Sequence, residues 1–322
     1  MSPAHTDSPS APWKILCPTD FSPFSRRALE YAIALAQPMR AEITFLHVCL
    51  MPLPYVGNDY VTDWMPDEPP LTIQIHDKLR HFAARAESAG VPCRQIVREG
   101  DPADEILRAA AALDADLIVM GSHGRRGFES WILGSHAERV LRTAACPVLT
   151  VSGPAAPGQE AAPVHIGEIL CAASTSVHAP ETVGYARRLA DGLRANLTVV
   201  HLLGARRHDD RRGLFELDEP PIAPVTLEKR ITAGTLASEI LRSAQAHLAD
   251  LIVIGNHDRR PLEHGFLGST SSHVVREAEC GVLTVRASGL AIGTDRSAGS
   301  QAAPAEIERV SKTDRAAAIT RR

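Results

Sequence analysis

Three glycines and a serine are spaced along the chain in a way that suits the binding of a phosphate group. Gly121 and Gly124 follow directly after an apolar run, and Gly134-Ser135 comes after nine further residues, where a helical pattern begins. Glycine lets the backbone approach a ligand closely and adopts positive φ angles. A helix N-terminus adds N–H groups without intrahelical partners and a partial positive charge. Together these features predict a mononucleotide or phosphate site.

This pattern differs from the two commonest nucleotide motifs, because neither a Walker Gly-Lys-Ser/Thr nor a dinucleotide Gly-x-Gly-x-x-Gly is present at these glycines. Arg125, next to Gly124, supplies positive charge for anionic oxygens. A purely structural interpretation is that the glycines make tight turns while Ser135 caps a helix beginning at His136. Ser135-x-x-Glu138 fits a capping box. Both interpretations can hold together, since backbone N–H groups can bind phosphate while the hydroxyl caps the helix.

The same spacing recurs later in the chain in an altered form. Gly255 and Gly268-Ser269 repeat Gly121 and Gly134-Ser135 at an offset of 134, which indicates a duplicated domain. The second copy has Asp258 where the first has Gly124, and Ser174 where the first has Asp20. A carboxylate beside a phosphate repels it by about 4 kcal/mol at 4 Å and an effective dielectric of 20. We therefore expect nucleotide in the first copy only.

The glycines follow strands that are continuous apolar runs rather than alternating ones, as in Leu117–Met120 and Leu251–Ile254. Such runs are typical of parallel strands covered by helices on both faces. Strands and helices alternate, so each copy is predicted to be a doubly wound α/β domain with a five-stranded parallel sheet. The predicted strands are 13–18, 42–49, 92–98, 116–120 and 147–151, then 166–172, 196–202, 225–232, 250–254 and 282–286.

Composition and offsets divide the chain into five predicted parts. They are a disordered N-terminus at 1–12, a first domain at 13–152, a proline-rich linker at 153–163, a second domain at 164–286 and a mobile tail at 287–322. The offset falls from 154 to 134 within the second copy, which has lost 20 residues between its second and third strands. Val148–Val151 and Val282–Val285 are short, apolar final strands, so we expect them to pair antiparallel in an internal pseudo-dimer.

The bulk properties narrow the class of protein. The chain has 322 residues and a net charge of −4, so it offers no basic field for nucleic acid. Neither a signal peptide nor a membrane span is recognisable in the sequence. The six cysteines lack Cys-x-x-Cys spacing and are expected to be reduced, which favours the cytoplasm.

At the three glycines and the serine of the first copy, the chain resembles the nucleotide-binding type of the universal stress protein family. The family pattern Gly-x2-Gly-x9-Gly-Ser/Thr matches the first copy without exception, and Cys17-Pro-Thr-Asp20, Leu46-His-Val48 and Cys146-Pro-Val-Leu149 extend the resemblance. The resemblance implies ATP, ADP or AMP as ligand, with Mg²⁺ or Mn²⁺. The implied nucleotide-binding residues are Pro18, Thr19, Asp20, Val48, Met120, Gly121, His123, Gly124, Arg125, Gly134, Ser135 and His136.

Three functions are compatible with this sequence. The leading one is a cytoplasmic ATP-binding sensor or regulator of the stress response, an expectation that comes from the family. The first alternative is a slow ATPase or nucleotidyl transferase using the same site, although no nucleophile–base pair accompanies the glycines, and the chain is not expected to be an enzyme. The second alternative is a nucleotide-free interaction module. Further association between chains stays open.

Overall fold

The computed structural model describes residues 12–50, 71–123, 133–153, 161–173, 179–204, 224–232, 234–256 and 268–286. In the first copy strands and helices alternate along the chain, as predicted. They are β1 (Lys14–Pro18), α1 (Pro23–Met39), β2 (Glu42–Cys49), α2 (Leu71–Ser88), β3 (Cys93–Glu99), α3 (Pro102–Leu113), β4 (Leu117–Gly121), α4 (Ser135–Thr143) and β5 (Val148–Val151). These strands are parallel and lie in the order β3-β2-β1-β4-β5.

The second copy repeats this plan. Its elements are β6 (Glu168–Ala173), α5 (Ala179–Leu193), β7 (Asn196–Gly204), β8 (Val225–Thr232), α6 (Leu236–Ala246), β9 (Leu251–Asn256), α7 (Ser269–Glu277) and β10 (Gly281–Arg286). The parallel order is β8-β7-β6-β9-β10, which matches the first copy strand for strand. The α/β fold class predicted from the apolar runs is confirmed. The segment 205–223, where the sequence predicts a shortened crossover, lies outside the described residues.

Side-chain caps explain where the helices of the first copy begin. Ser22 has an extended backbone and its hydroxyl accepts the Ser25 N–H at 3.2 Å, while Pro23 occupies the first helical position of α1. Asp101 accepts the Asp104 N–H at 3.1 Å at the start of α3 in the same way. The Ser22 cap sets the start of α1 directly after β1, next to Asp20.

The two copies are joined by their final strands. β5 and β10 pair antiparallel, with Val282 opposite Thr150, Leu283 opposite Leu149 and Thr284 opposite Val148. The described strands therefore form one ten-stranded sheet, parallel everywhere except at this pair. The Thr150 hydroxyl also donates to the Val282 carbonyl at 3.2 Å. One hydrophobic cluster runs across the join, built from strand residues of both copies and from α3, α4, α6 and α7.

Hydrogen bonds at the ends of the joining strands reinforce this arrangement. Ser152 and Arg286 are equivalent positions, and each reaches a helix of the other copy. The Ser152 hydroxyl donates to the Val275 carbonyl at 3.1 Å, and the Arg286 guanidinium donates to the Arg142 carbonyl at 3.0 Å. The contact between the copies therefore includes α4 and α7 as well as the strands.

Two equivalent tyrosines on α1 and α5 differ in their hydrogen bonding. The buried Tyr31 hydroxyl accepts the Gly281 N–H at 3.0 Å and donates to the Asp250 carbonyl at 3.3 Å, so both of these hydrogen bonds reach the other copy. Tyr185 is equally buried, but its hydroxyl has no hydrogen-bond partner among the described residues. The residue that corresponds to Gly281 is Pro147, which has no N–H to offer. Burial raises the pKa of Tyr185 far above its ordinary value.

This asymmetry yields a matched pair of substitutions. Tyr31→Phe should lower the free energy of unfolding by about 1–3 kcal/mol, because it leaves the buried Gly281 N–H without a partner. Tyr185→Phe should be neutral or slightly stabilising, because it removes a buried hydroxyl that has no partner in the described part of the chain. Urea unfolding followed by circular dichroism measures both. Equal losses for the two variants would contradict the assigned role of Tyr31.

Four of the six cysteines behave as small apolar groups. Cys17 and Cys171 are fully buried, and burial raises the pKa of each thiol to about 12. Cys146 and Cys280 are largely buried, and burial raises their pKa to about 11 and about 12. Thiols of this kind are poor nucleophiles at neutral pH. Among the described helices, none is long and apolar enough to cross a membrane.

The sequence also predicts a terminal segment, a linker and a tail. Residues 1–11, 154–160 and 287–322 lie outside the described residues, so these domain limits stay a prediction. At the end of the predicted linker, Pro163 and Val164 line a cleft of about 180 Å³ together with residues of α1 and of the end of α2. Arg85 in the wall of this cleft is paired with Glu30 at 2.8 Å.

Candidate functional site

Several of the predicted ligand-binding residues, from Pro18 to Asp20 and from Met120 to His123, lie at the carboxyl ends of β1 and β4, which are neighbouring central strands of the first copy. Ile15 lies opposite Leu117 and Leu16 opposite Ile118 in this parallel pair. The chain leaves β1 towards β2 on one side and leaves β4 towards β5 on the other. Strand order therefore reverses between β1 and β4, and open α/β sheets bind ligands in the crevice formed at such a point.

On the β1 side, the turn Thr19–Ser22 carries Asp20. The Thr19 N–H donates to the Leu46 carbonyl at 2.8 Å, which extends the β1–β2 pairing past Pro18. The Phe21 N–H donates to the Thr19 hydroxyl and the Ser22 N–H donates to the Asp20 carboxylate, both at 3.0 Å. Phe21 has a φ of 63°, which is uncommon outside glycine. Two hydrogen bonds from its own side chains thus help to hold the turn.

An aromatic cluster supports this turn, and the sequence analysis did not single it out. His47 on β2 stacks on Phe21 with ring centroids 4.6 Å apart, and Phe82 from α2 meets Phe21 edge-on at 5.6 Å. The Lys78 ammonium lies 5.9 Å from the Phe21 centroid. The run Leu46-His-Val48 marked the end of a strand, but only the fold shows that its histidine reaches the turn after β1.

On the β4 side, two glycines are closely packed against other residues and have no unusual backbone angle. A Cβ at Gly121 would lie 2.8 Å from the Cβ of Phe24, and one at Gly134 would lie 3.2 Å from the Ser122 carbonyl oxygen. The Gly134 N–H donates to that same carbonyl at 2.9 Å. Neither glycine has a positive φ. Contact with Phe24 and Ser122, and not a positive φ, is therefore what distinguishes these two glycines, and their approach to a phosphate stays a prediction.

Ser122 and His123 complete the described part of this loop. Ser122 is fully buried, its N–H donates to the Val151 carbonyl at 2.9 Å, and its hydroxyl is 2.9 Å from Nδ1 of His123. The His123 ring lies 5.2 Å from the ring of Phe24 on α1. These contacts bring the end of β4 against the first turn of α1, so both sides of the crevice are tied together.

The start of α4 differs from the capping box that the sequence predicted. The helix begins at Ser135 rather than His136, and Gly134 is its N-cap with an extended backbone. Ser135 is therefore already inside the first turn and does not cap. Because glycine has no side chain, no side-chain cap occupies the N–H groups of the first turn. Ser135 and His136 are both exposed, so this end of α4 is open to an anion.

The other predicted residues fall into three groups. Pro18 ends β1 opposite Leu46, and Val48 lies in β2 opposite Arg98, both near the carboxyl edge of the sheet. Met120 is buried in the core at the end of β4, so its side chain backs the site rather than lining it. Gly124 and Arg125 lie outside the described residues.

The second copy has a helix start of the same form. Gly268 is the N-cap of α7 without a side-chain cap, and a Cβ there would meet no atom within 4 Å. Its strands β6 and β9 are paired as β1 and β4 are. The two residues that distinguish the copies in sequence, Ser174 and Asp258, lie outside the described residues. The described strand pairing and this helix start are thus shared by the two copies.

A protein-bound metal centre has no candidate within the described ranges, which contain no cluster of three or more His, Cys, Asp or Glu side chains suited to hold an ion. Mg²⁺ is commonly held through substrate phosphates with few protein ligands.

Each copy matches the same known protein family. The profile of the Universal stress protein family matches residues 13–152 and 165–286. A universal stress protein of Methanocaldococcus jannaschii is 39% identical over 141 residues, which cover 44% of this chain and 82% of that protein. A universal stress protein of Bacillus subtilis is 32% identical over 147 residues, which cover 43% of this chain and 97% of that protein.

A solved structure spans both copies. The universal stress protein of Archaeoglobus fulgidus DSM 4304 superposes with a TM-score of 0.63 at 24% identity, covering 85% of this chain and 96% of that one. At this identity the likeness shows the fold. The two curated relatives each match less than half of this chain, which is the length of one copy.

Proposed function

Since this chain belongs to the universal stress protein family, we propose that its first copy binds an adenine nucleotide, ATP foremost. In this proposal the protein acts in the cytoplasm as a sensor or regulator of the stress response. The second copy takes no nucleotide and serves as the structural partner of the first within an internal pseudo-dimer. The proposal is one of binding, and it assigns no catalytic step.

The observation that carries the proposal is the strand reversal between β1 and β4. Asp20 follows one of these strands and Gly121 ends the other, so both lie at the crevice where the crossovers diverge. The capped start of α1 and the bonded turn Thr19–Ser22 hold one wall of this crevice. The packing of Gly121 against Phe24 holds the other wall. Such a fixed, polar-edged crevice suits a mononucleotide.

The phosphates are assigned to the N-terminus of α4. Its first-turn N–H groups have no side-chain cap, Ser135 offers an exposed hydroxyl, and the helix dipole favours negative charge. By sequence, Gly124 and Arg125 belong to the same phosphate site. Mg²⁺ or Mn²⁺ would neutralise the phosphate oxygens there.

The adenosine is assigned to the β1–β2 side. The Asp20 carboxylate is held by the Ser22 N–H, and the family resemblance gives it the role of contacting the nucleoside. Val48, near the end of β2, presents its backbone at the same edge of the sheet for the base. This division puts base and phosphates on opposite sides of the β1–β4 reversal.

Stoichiometry tests the proposal. The first copy has Asp20 and Gly124, and the second has Ser174 and Asp258, so we expect one nucleotide per chain. Isothermal titration of nucleotide-free protein with ATP and Mg²⁺ should give a single site. Mass spectrometry of the ligand released by denaturing freshly purified protein should identify an adenine nucleotide. Two equivalent sites would refute the assignment to the first copy, and no binding at all would refute the proposed function.

A further inference from the structure

His47 contacts the chain on both sides of Asp20, although it belongs to a different strand. Its Nδ1 lies 2.8 Å from the carbonyl oxygen of Thr19, the residue before Asp20. Its ring stacks on Phe21, the residue after Asp20, at 4.6 Å and an interplanar angle of 28°. His47 itself is only 9% exposed, so its position is set by the sheet. Asp20, the residue between these two contacts, is the predicted nucleoside contact.

The hydrogen bond to Thr19 controls the direction in which the chain enters Asp20. A peptide unit is planar and leaves two soft dihedral angles per residue. The Thr19 N–H is held by the Leu46 carbonyl at 2.8 Å, and the Thr19 carbonyl is held by His47. Since a carbonyl oxygen only accepts, Nδ1 of His47 carries the proton of this bond. The backbone N–H and the carbonyl of Thr19 are therefore both anchored to β2.

The stack on Phe21 supports the other side of the turn. Phe21 has a φ of 63°, and a non-glycine residue keeps such an angle only when its surroundings hold it there. His47 covers one face of the Phe21 ring and Phe82 meets it edge-on at 5.6 Å. With Phe21 held, the Ser22 N–H stays in place to donate to the Asp20 carboxylate.

From these contacts we infer that His47 is a positioning residue for nucleotide binding, which sets the Asp20 carboxylate for the adenosine without touching the ligand itself. The inference rests on the proposed function, because it assigns His47 a role in that same site. It differs from a general stability role in a testable way. Loss of the Nδ1 bond should weaken binding of the nucleoside part, whether or not phosphates are attached.

Two substitutions separate the hydrogen bond from the ring. His47→Phe keeps an aromatic ring to stack on Phe21 but removes the donor to Thr19. His47→Asn removes the ring but places an amide N–H close to the position of Nδ1. His201 occupies the equivalent place on β7 in the second copy, opposite Ala173 of β6, and provides the control His201→Phe.

The experiment measures the dissociation constant for ATP by calorimetry and for adenosine by competition, and the midpoint of thermal unfolding for every variant. His47→Phe should weaken both ligands by about tenfold, the size of one hydrogen bond. His47→Asn keeps a donor to Thr19 and loses only the ring stack, so it should weaken both ligands less than His47→Phe does, and His201→Phe should leave both constants unchanged. The unfolding midpoint shows that each variant is folded at the temperature of the binding measurement.

Other outcomes overturn the inference. Unchanged affinity in His47→Phe would show that the Thr19 bond does not set Asp20. Equal losses in His47→Phe and His47→Asn, or a loss for ATP without one for adenosine, would also exclude the positioning role. A wild type that binds neither ATP nor adenosine is a different result, since it refutes the proposed function itself.

Discussion

Gly124→Asp is expected to raise the dissociation constant for ATP about a thousandfold. Gly124 belongs to the phosphate site by sequence, and an aspartate there puts a carboxylate near the phosphate oxygens. Two unit charges 4 Å apart repel by about 4 kcal/mol at an effective dielectric of 20. The fold should be unaffected, because the second copy carries Asp258 at the same position and keeps the same sheet order. Isothermal titration with ATP measures the dissociation constant, and a thermal unfolding curve shows whether the fold is unaffected.

Gly124→Asn is the matched control for this substitution. Asparagine has nearly the volume of aspartate but no charge, so the ratio of the two dissociation constants isolates the electrostatic part of the loss. That ratio should fall as ionic strength rises, because salt screens the repulsion. If Asp and Asn weaken ATP binding equally, bulk rather than charge excludes the nucleotide. If neither weakens it, the phosphates bind elsewhere.

Val282→Lys is expected to lower the free energy of unfolding by about 3–5 kcal/mol, because it puts an uncompensated charge into the join between the copies. Val282 is fully buried, lies opposite Thr150 across the β5–β10 pair and belongs to the hydrophobic cluster shared by both copies. Domains of this size are stable by only about 5–15 kcal/mol. The variant should therefore separate the copies or unfold the second one. Urea unfolding and small-angle scattering distinguish the variant from a compact wild type.

Thr226→Lys introduces the same side chain at an exposed position of β8, the outermost strand of the second copy. It should change the free energy of unfolding by no more than about 0.5 kcal/mol. The difference between the two lysine variants then reports burial at the join and not lysine as such. An extended, flexible scattering profile for the wild type would contradict the internal pairing outright, as would a Val282→Lys variant as stable as the wild type.

Much of the fold could be predicted because the relevant signals are local. Continuous apolar runs identified the strands to within about two residues, and Ser22-Pro23 identified the start of α1. The repeat offset also required the two copies to share one topology. The pairing of β5 with β10 follows from the short apolar final strands. Each of these inferences depends on neighbouring residues or on the comparison of two copies.

The errors and omissions concern contacts between residues distant in sequence. The spacing of Ser135 from Glu138 predicts a capping box, but Gly134 is the N-cap, and its N–H donates to the Ser122 carbonyl at 2.9 Å. The bond from Gly281 to Tyr31 joins residues 250 positions apart, and no local pattern announces it. The contact of His47 with Thr19 is invisible for the same reason, since it depends on the parallel pairing of β1 and β2.

The antiparallel pair β5–β10 is formed by two strands of one polypeptide. When two separate chains associate, the paired fraction falls on dilution by mass action. A tether replaces that dependence with a fixed local concentration, commonly in the millimolar range for a short flexible linker. The contact between the copies should therefore be as complete in a nanomolar solution as in a concentrated one. The second copy thus stays paired with the first whether or not its own site binds a ligand.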